Sequence, residues 1–76
     1  EYEVIEAEII ETSELINKEL KNSNLPEDIR IGAVLRDKKV IIPSSNFVFK
    51  KDDQVVFLAQ KDSISYVENI FRLSSV

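Results

Sequence analysis

The chain has 76 residues, a formal charge of −4 and a sequence pI near 4.7, with 43% apolar and 32% charged residues. This length allows one domain with a small core, and the apolar content is that of a folded protein. The negative charge disfavours nucleic acid and anionic lipid as partners, and no apolar run has the ~20 residues that a membrane-spanning helix needs. We therefore expect no nucleic-acid binding and no direct membrane insertion.

The first third of the chain predicts a strand followed by a helix. Residues 3–10 alternate apolar with acidic side chains, which is typical of a half-buried strand. Thr12 and Ser13 then favour the start of a helix, which ends before Pro26. The apolar residues of this helix fall at helical spacing at Leu15, Ile16 and Leu20.

The rest of the chain predicts three strands and a second helix. The β-branched runs 29–35 and 40–42 are separated by four polar residues, which indicates a hairpin. The apolar run 54–59 suits the centre of a sheet, and the adjacent Asp52 and Asp53 indicate a turn before it. Asp62 then favours the start of a helix. Its apolar stripe is Ile64, Val67, Ile70 and Phe71.

These elements give the order strand, helix, three strands, helix. We predict a single small α+β domain over residues 1–76, with helices packed on one mainly antiparallel sheet. The lack of methionine and the start at Glu1 lead us to expect a piece excised from a longer protein. The residues expected to be largely buried are Ile31, Ala33, Leu35, Ile41, Val55, Phe57, Val67 and Phe71.

The composition argues against an enzyme. Without histidine or cysteine, the common zinc sites and the Ser-His-Asp and Cys-His arrangements are impossible, and the single glycine, Gly32, excludes the glycine-rich phosphate loops. Carboxylate chemistry remains open through Glu6 with Glu8 and through Asp52 with Asp53, but exposed carboxylates are mostly solvated surface. We predict a non-enzymatic domain with no metal site.

Strand 29–36 has apolar residues on both of its faces, and this favours a dimer. One face carries Ile29, Ile31, Ala33 and Leu35. The other carries Arg30, Gly32, Val34 and Arg36. An apolar centre with a charged rim is typical of an interface, so we predict a homodimer through the sheet or hairpin region. The alternative is that Val34 packs under a helix.

Two features of this strand leave alternatives open. The even spacing of Arg30 and Arg36 predicts that they share a face, where they either bind an anion together or pair with carboxylates. Gly32 marks a bulge, a close approach of a ligand or subunit, or a packing position.

The pattern as a whole resembles the C-terminal lobe of RCK domains, also called the TrkA C-terminal domain. The stretches that carry the resemblance are 4–8, 13–18 with Leu20, 25–26, 29–36, 40–43, 51–58 and 66–71. The family usually has glycine at the positions of Asn17, Lys38 and Asp52, so these three residues must form turns here.

The resemblance implies a cytosolic regulatory domain that is held at the inner face of the cell membrane by a potassium-transporting partner. The ending 67–71 favours a potassium-uptake protein over the antiporters and anion exchangers that carry the same lobe. The family's nucleotide-binding Rossmann lobe is not part of this chain, so no cofactor is expected in it. Some relatives bind cyclic di-AMP between two such lobes, and the matching residues here are Arg30, Ile31 and Pro43. The alternative is a structural dimerisation lobe without a ligand.

Overall fold

The computed structural model describes residues 2–65, 67 and 72–73, which are built on one five-stranded sheet. The strand order is β3-β2-β4-β1-β5, and all neighbours run antiparallel. The strands are β1 (Tyr2–Glu8), β2 (Ile29–Arg36), β3 (Lys39–Ile41), β4 (Gln54–Gln60) and β5 (Arg72–Leu73). The apolar strand predicted at the centre of the sheet is therefore confirmed as β4, which pairs with β1 on one side and β2 on the other.

The prediction of an α+β domain with helices packed on the sheet is wrong. The segment expected to form the first helix consists of turns and one short 3-10 helix, Leu20–Asn22. Asn17 has a φ of 67°, which interrupts any helix at that residue. Its backbone N–H donates to the carbonyl of Phe49 at 2.9 Å, and that of Leu20 donates to Phe47 at 2.8 Å. The backbone groups that a helix would use are thus paired with a distant segment.

Five of the ten residues from Asp62 to Phe71, the second predicted helix, lie outside the described residues. Its beginning is a 3-10 turn, Lys61–Ser63, and the backbone at Ile64 and Ser65 is helical. Val67 is fully buried. The predicted positions Ile70 and Phe71 fall among the residues that are not described.

The hydrophobic core lies on one face of the sheet, which we call the inner face. Val55, Phe57 and Val67 are buried there as predicted. Ile31, Ala33, Leu35 and Ile41 were expected to be largely buried; they are half-buried, and Ile31 and Ile41 pack against the core at its edge. The core also contains Ala7, Ile9, Leu15, Ile29, Val34, Phe49 and Ala59.

A bulge at Gly32 changes which residues of β2 face the core. Ile31 pairs with Phe57, whereas Ala33 pairs with the next residue, Val56, so Gly32 is the extra residue. Beyond the bulge the alternation is reversed. Val34 therefore faces the core and is fully buried, and Ala33 lies on the opposite, outer face.

Candidate functional site

The three residues that match the ligand site of some relatives lie at the end of the pairing between β2 and β3. Arg30 is exposed, Ile31 is half-buried against the inner core, and Pro43 follows β3 after one intervening residue. β3 pairs only with 34–36 of β2, so among the described strands Arg30 and Ile31 have β4 alone as a neighbour. The two residues lie on opposite faces of the strand. A ligand that touches both must therefore reach around this open edge.

The four residues predicted for a dimer interface do not share one surface. Arg30 and Gly32 are exposed, but Val34 is fully enclosed by the core. Arg36 lies on the inner side, because the bulge shifts the alternation between Arg30 and Arg36 by one residue. The expectation that these two arginines share a face is wrong, and they cannot hold one anion together from a common face. The dimer itself stays a prediction.

Arg36 instead forms the best-defined polar cluster of the described residues, with Asp53. Its Nε donates to Oδ1 of Asp53 and its Nη2 to Oδ2, both at 2.7 Å. The same Nη2 donates to the carbonyl of Val48 at 2.9 Å, and the guanidinium carbon lies 4.8 Å from the centre of the Phe47 ring. The backbone N–H of Lys50 donates to Oδ2 of Asp53 at 2.8 Å.

The hydrogen bonds of this cluster hold parts of the fold together, and we call the pair Arg36 and Asp53 the clamp. Asp53 is 1% exposed, and its carboxylate accepts a bidentate pair of hydrogen bonds together with one from a backbone amide. The hydrogen bonds that Arg36 donates to Asp53 raise the pKa of Arg36 above its ordinary value, and burial opposes this only in part. The guanidinium therefore remains charged, and its Nε and Nη2 atoms donate within the clamp. The clamp joins β2 to the loop that leads into β4.

The sequence interpretation missed this pair because Asp53 was assigned to a turn. The turn itself is confirmed, since the neighbouring Asp52 has a φ of 71°. The sequence does hold a signal for the ion pair, which is an acidic residue directly before an apolar strand. This residue lies at the end of the sheet where β2 ends in arginine. The antiparallel pairing of Leu35 with Gln54 brings Arg36 next to Asp53.

Within residues 2–65, 67 and 72–73, acidic side chains do not gather in a group that could hold a metal ion. In the same residues, no helix is long and apolar enough to cross a membrane.

The family of the chain follows from comparison with known proteins. The TrkA-C domain family matches residues 4–72. The chain belongs to the TrkA-C domain family. The expected resemblance is thereby confirmed over nearly the whole chain.

Relatives of this TrkA-C domain are potassium uptake proteins by name. It is 44% identical over 72 residues to the Trk system potassium uptake protein TrkA of Azorhizobium caulinodans. This match covers 95% of this chain and 16% of that protein. It is 33% identical over 64 residues to a TrkA homolog of Archaeoglobus fulgidus, covering 84% of this chain and 15% of that protein. A TrkA homolog of Pyrococcus abyssi is 35% identical over 69 residues, and the match covers 90% of this chain and 30% of that protein. The chain thus spans less than a third of each of these relatives.

A solved structure has the same fold as this TrkA-C domain. It is described as an RCK domain with cda and superposes with a TM-score of 0.80 over 91% of this chain and 97% of that one. The sequence identity is 16%, so the likeness concerns the fold.

Proposed function

We propose that this TrkA-C domain is a cytoplasmic regulatory and oligomerisation domain of a potassium uptake system. It pairs with a second copy and passes the state of a bound ligand to a membrane-embedded potassium transporter. The observation that carries the proposal is the 44% identity over 95% of the chain to a Trk system potassium uptake protein. A ligand controls such a domain only through a difference in its affinity for two arrangements of the pair.

The proposed ligand is a cyclic dinucleotide, with cyclic di-AMP as the first candidate. The exposed guanidinium of Arg30 suits a phosphate, since charge-assisted hydrogen bonds to phosphate favour arginine. Ile31 and Pro43 are half-buried and apolar, which suits contact with a base. The solved RCK domain described with cda lends further support, because its fold matches that of this chain with a TM-score of 0.80.

Titration calorimetry of the domain tests this proposal. Cyclic di-AMP, cyclic di-GMP, ATP and NAD are titrated into the wild type, into Arg30→Ala and into Lys39→Ala as the control. Cyclic di-AMP is expected to bind the wild type and the control alike, and Arg30→Ala is expected to weaken binding roughly 10- to 100-fold, as for a lost charge-assisted hydrogen bond. Equal binding by Arg30→Ala would contradict the assignment of Arg30.

A structural dimerisation lobe is the alternative function. The engagement of Arg36 in the clamp favours it over a ligand site, because this arginine is bonded inside the domain and does not join Arg30 in holding an anion. Absence of heat with every nucleotide, from a domain that still dimerises, would support this alternative over a ligand sensor.

A further inference from the structure

Arg36 contacts both ends of the chain segment that carries Pro43. In sequence it comes directly before the β2–β3 turn, and β3 and Pro43 follow. In space its side chain reaches the far end of the same segment. There Nη2 donates to the carbonyl of Val48 at 2.9 Å, and the guanidinium carbon lies 4.8 Å from the centre of the Phe47 ring. The side chain of Arg36 therefore closes residues 37–47 into a loop, which we call the Pro43 loop.

The clamp fixes the direction of the side chain that closes this loop. Both carboxylate oxygens of Asp53 accept hydrogen bonds from Arg36 at 2.7 Å, and such a bidentate pair sets the plane of the guanidinium. Asp53 is itself held, because its Oδ2 also accepts from the backbone N–H of Lys50 at 2.8 Å. The far end of the Pro43 loop is therefore bonded to a guanidinium whose orientation the fold has already determined.

The position of Pro43 depends on contacts that lie before and after it in the loop. Before it, the pairing of β3 with β2 ends at Ile41. Proline has no backbone N–H, so Pro43 cannot extend this ladder as a donor. After it, the backbone N–H of Lys21 donates to the carbonyl of Ser45 at 2.9 Å, and the contacts of Arg36 follow. Arg36 is thus one of the few contacts that place Pro43 beside β2.

The proposed ligand site needs a defined spacing between two elements. We call its residues Arg30, Ile31 and Pro43 the ligand edge; the first two belong to β2, and the third belongs to the Pro43 loop. A base can contact Ile31 and Pro43 together only when the loop keeps its place beside the strand. A loop that is ordered before binding loses less conformational entropy when the ligand arrives, and this raises affinity.

We propose that Arg36 is a positioning residue of the ligand edge and holds Pro43 at the distance from Ile31 that a base of the cyclic dinucleotide requires. This inference rests on the proposed function and adds to its site a residue that acts through Pro43. Without the closing contacts, the Pro43 loop samples further positions, and only a fraction of the molecules presents the ligand edge in its binding arrangement. The apparent Kd rises in inverse proportion to that fraction.

A double-mutant cycle tests the positioning role. Titration calorimetry with cyclic di-AMP is carried out on the wild type, Arg36→Lys, Pro43→Ala and the double variant. Lysine keeps the charge but cannot form the bidentate pair and reach Val48 at the same time, so Arg36→Lys is expected to raise the Kd about 10-fold. Pro43→Ala is expected to raise it by a similar factor. The double variant is expected to stay within about 3-fold of Pro43→Ala, because Arg36 acts through Pro43.

A matched control separates positioning from stability. Val55 is fully buried in β4, outside the Pro43 loop, so Val55→Ala lowers the free energy of unfolding and is expected to keep the Kd within about 2-fold of the wild type. Circular dichroism confirms that each variant is folded at the temperature of the titration.

The outcomes distinguish this inference from the proposed function. A wild-type Kd in Arg36→Lys, or an equal rise in Val55→Ala, would overturn the positioning role and leave the ligand site standing. Single-variant factors that multiply in the double variant would also overturn it, because the two residues would then act independently. A wild type that does not bind cyclic di-AMP would overturn both.

Discussion

Lys38 has a backbone conformation that its side chain does not favour. Asp37 and Lys38 have φ values of 52° and 65°, so the two residues of the β2–β3 turn are both left-handed. Such a turn matches the twist of a hairpin, but it suits asparagine, aspartate and glycine. A left-handed conformation costs a residue with a Cβ about 1–2 kcal/mol.

Replacing Lys38 by glycine is therefore expected to stabilise the domain. The strain energy that glycine removes from the turn is larger than the conformational entropy that glycine adds to the unfolded chain. The free energy of unfolding is therefore expected to rise by about 0.5–1 kcal/mol. Urea unfolding of Lys38→Gly measures the gain.

Lys39 provides the matched control, because it loses the same charge one residue later, in β3. Lys39→Gly is expected to destabilise by about 0.5–1 kcal/mol, as glycine does in a strand. Equal effects of the two changes would contradict the left-handed turn.

The clamp between Arg36 and Asp53 links two elements, and its loss should be costly. Arg36→Met keeps most of the side-chain volume but leaves the carboxylate of Asp53 buried without its charged partner. Removal of one member of a buried ion pair destabilises by about 3–5 kcal/mol, and the lower end is expected because the Arg36 side chain is 30% exposed. Urea unfolding checks the value, and Lys39→Met, at the exposed residue opposite Arg36, serves as the control with a change under about 0.5 kcal/mol.

The pH dependence of this clamp follows from the raised pKa of Arg36. A basic group whose pKa is higher in the folded protein than in the unfolded chain stabilises the fold. This stabilisation is fully present below the pKa of the unfolded chain and is lost as the pH rises through the pKa of the folded protein. Both values lie in the strongly alkaline range for arginine. The contribution of Arg36 to stability is therefore constant between pH 6 and pH 9.

Sequence patterns predicted the strands well and the helices poorly. The alternation in β1 and the apolar run of β4 depend on side chains of the strand itself, and both strands form as expected. The segment around Leu15 and Leu20 has helical spacing, but its backbone bonds to residues 45–49, and that long-range partner leaves no local signal.

The candidate site was predictable only in part for a similar reason. Gly32 was recognised as a possible bulge, yet the faces of β2 were counted as if the strand were regular. One extra residue moves Val34 inward and separates Arg30 from Arg36. The effect of a bulge on side-chain direction depends on the neighbouring strand, whose register the sequence does not state.

The domain as a whole is stabilised from one side of its sheet. Phe57 is 1% exposed at the centre of the inner face, and the next residue, Leu58, points to the outer face. Phe57→Ala is expected to cost about 3–5 kcal/mol, because it removes a buried aromatic ring and leaves a cavity. Chemical denaturation at low micromolar concentration measures this cost.

The neighbouring Leu58→Ala is the comparison at the scale of the whole sheet. Leu58 is 41% exposed, so a loss of about 1 kcal/mol or less is expected. A loss under about 1 kcal/mol for Phe57→Ala would contradict the central position of Phe57 in the core.

The position of β1 between β4 and β5 has a consequence for how the protein is made. β1 ends at Glu8, and its partner β4 begins at Gln54, so the first strand emerges from the ribosome well before either neighbour exists. At synthesis rates of about 5–20 residues per second, this wait is on the order of several seconds. During it, Ile5, Ala7 and Ile9 remain without the sheet that later buries them. The acidic residues between them, Glu6 and Glu8, keep the waiting strand soluble and discourage its pairing with nascent copies of itself.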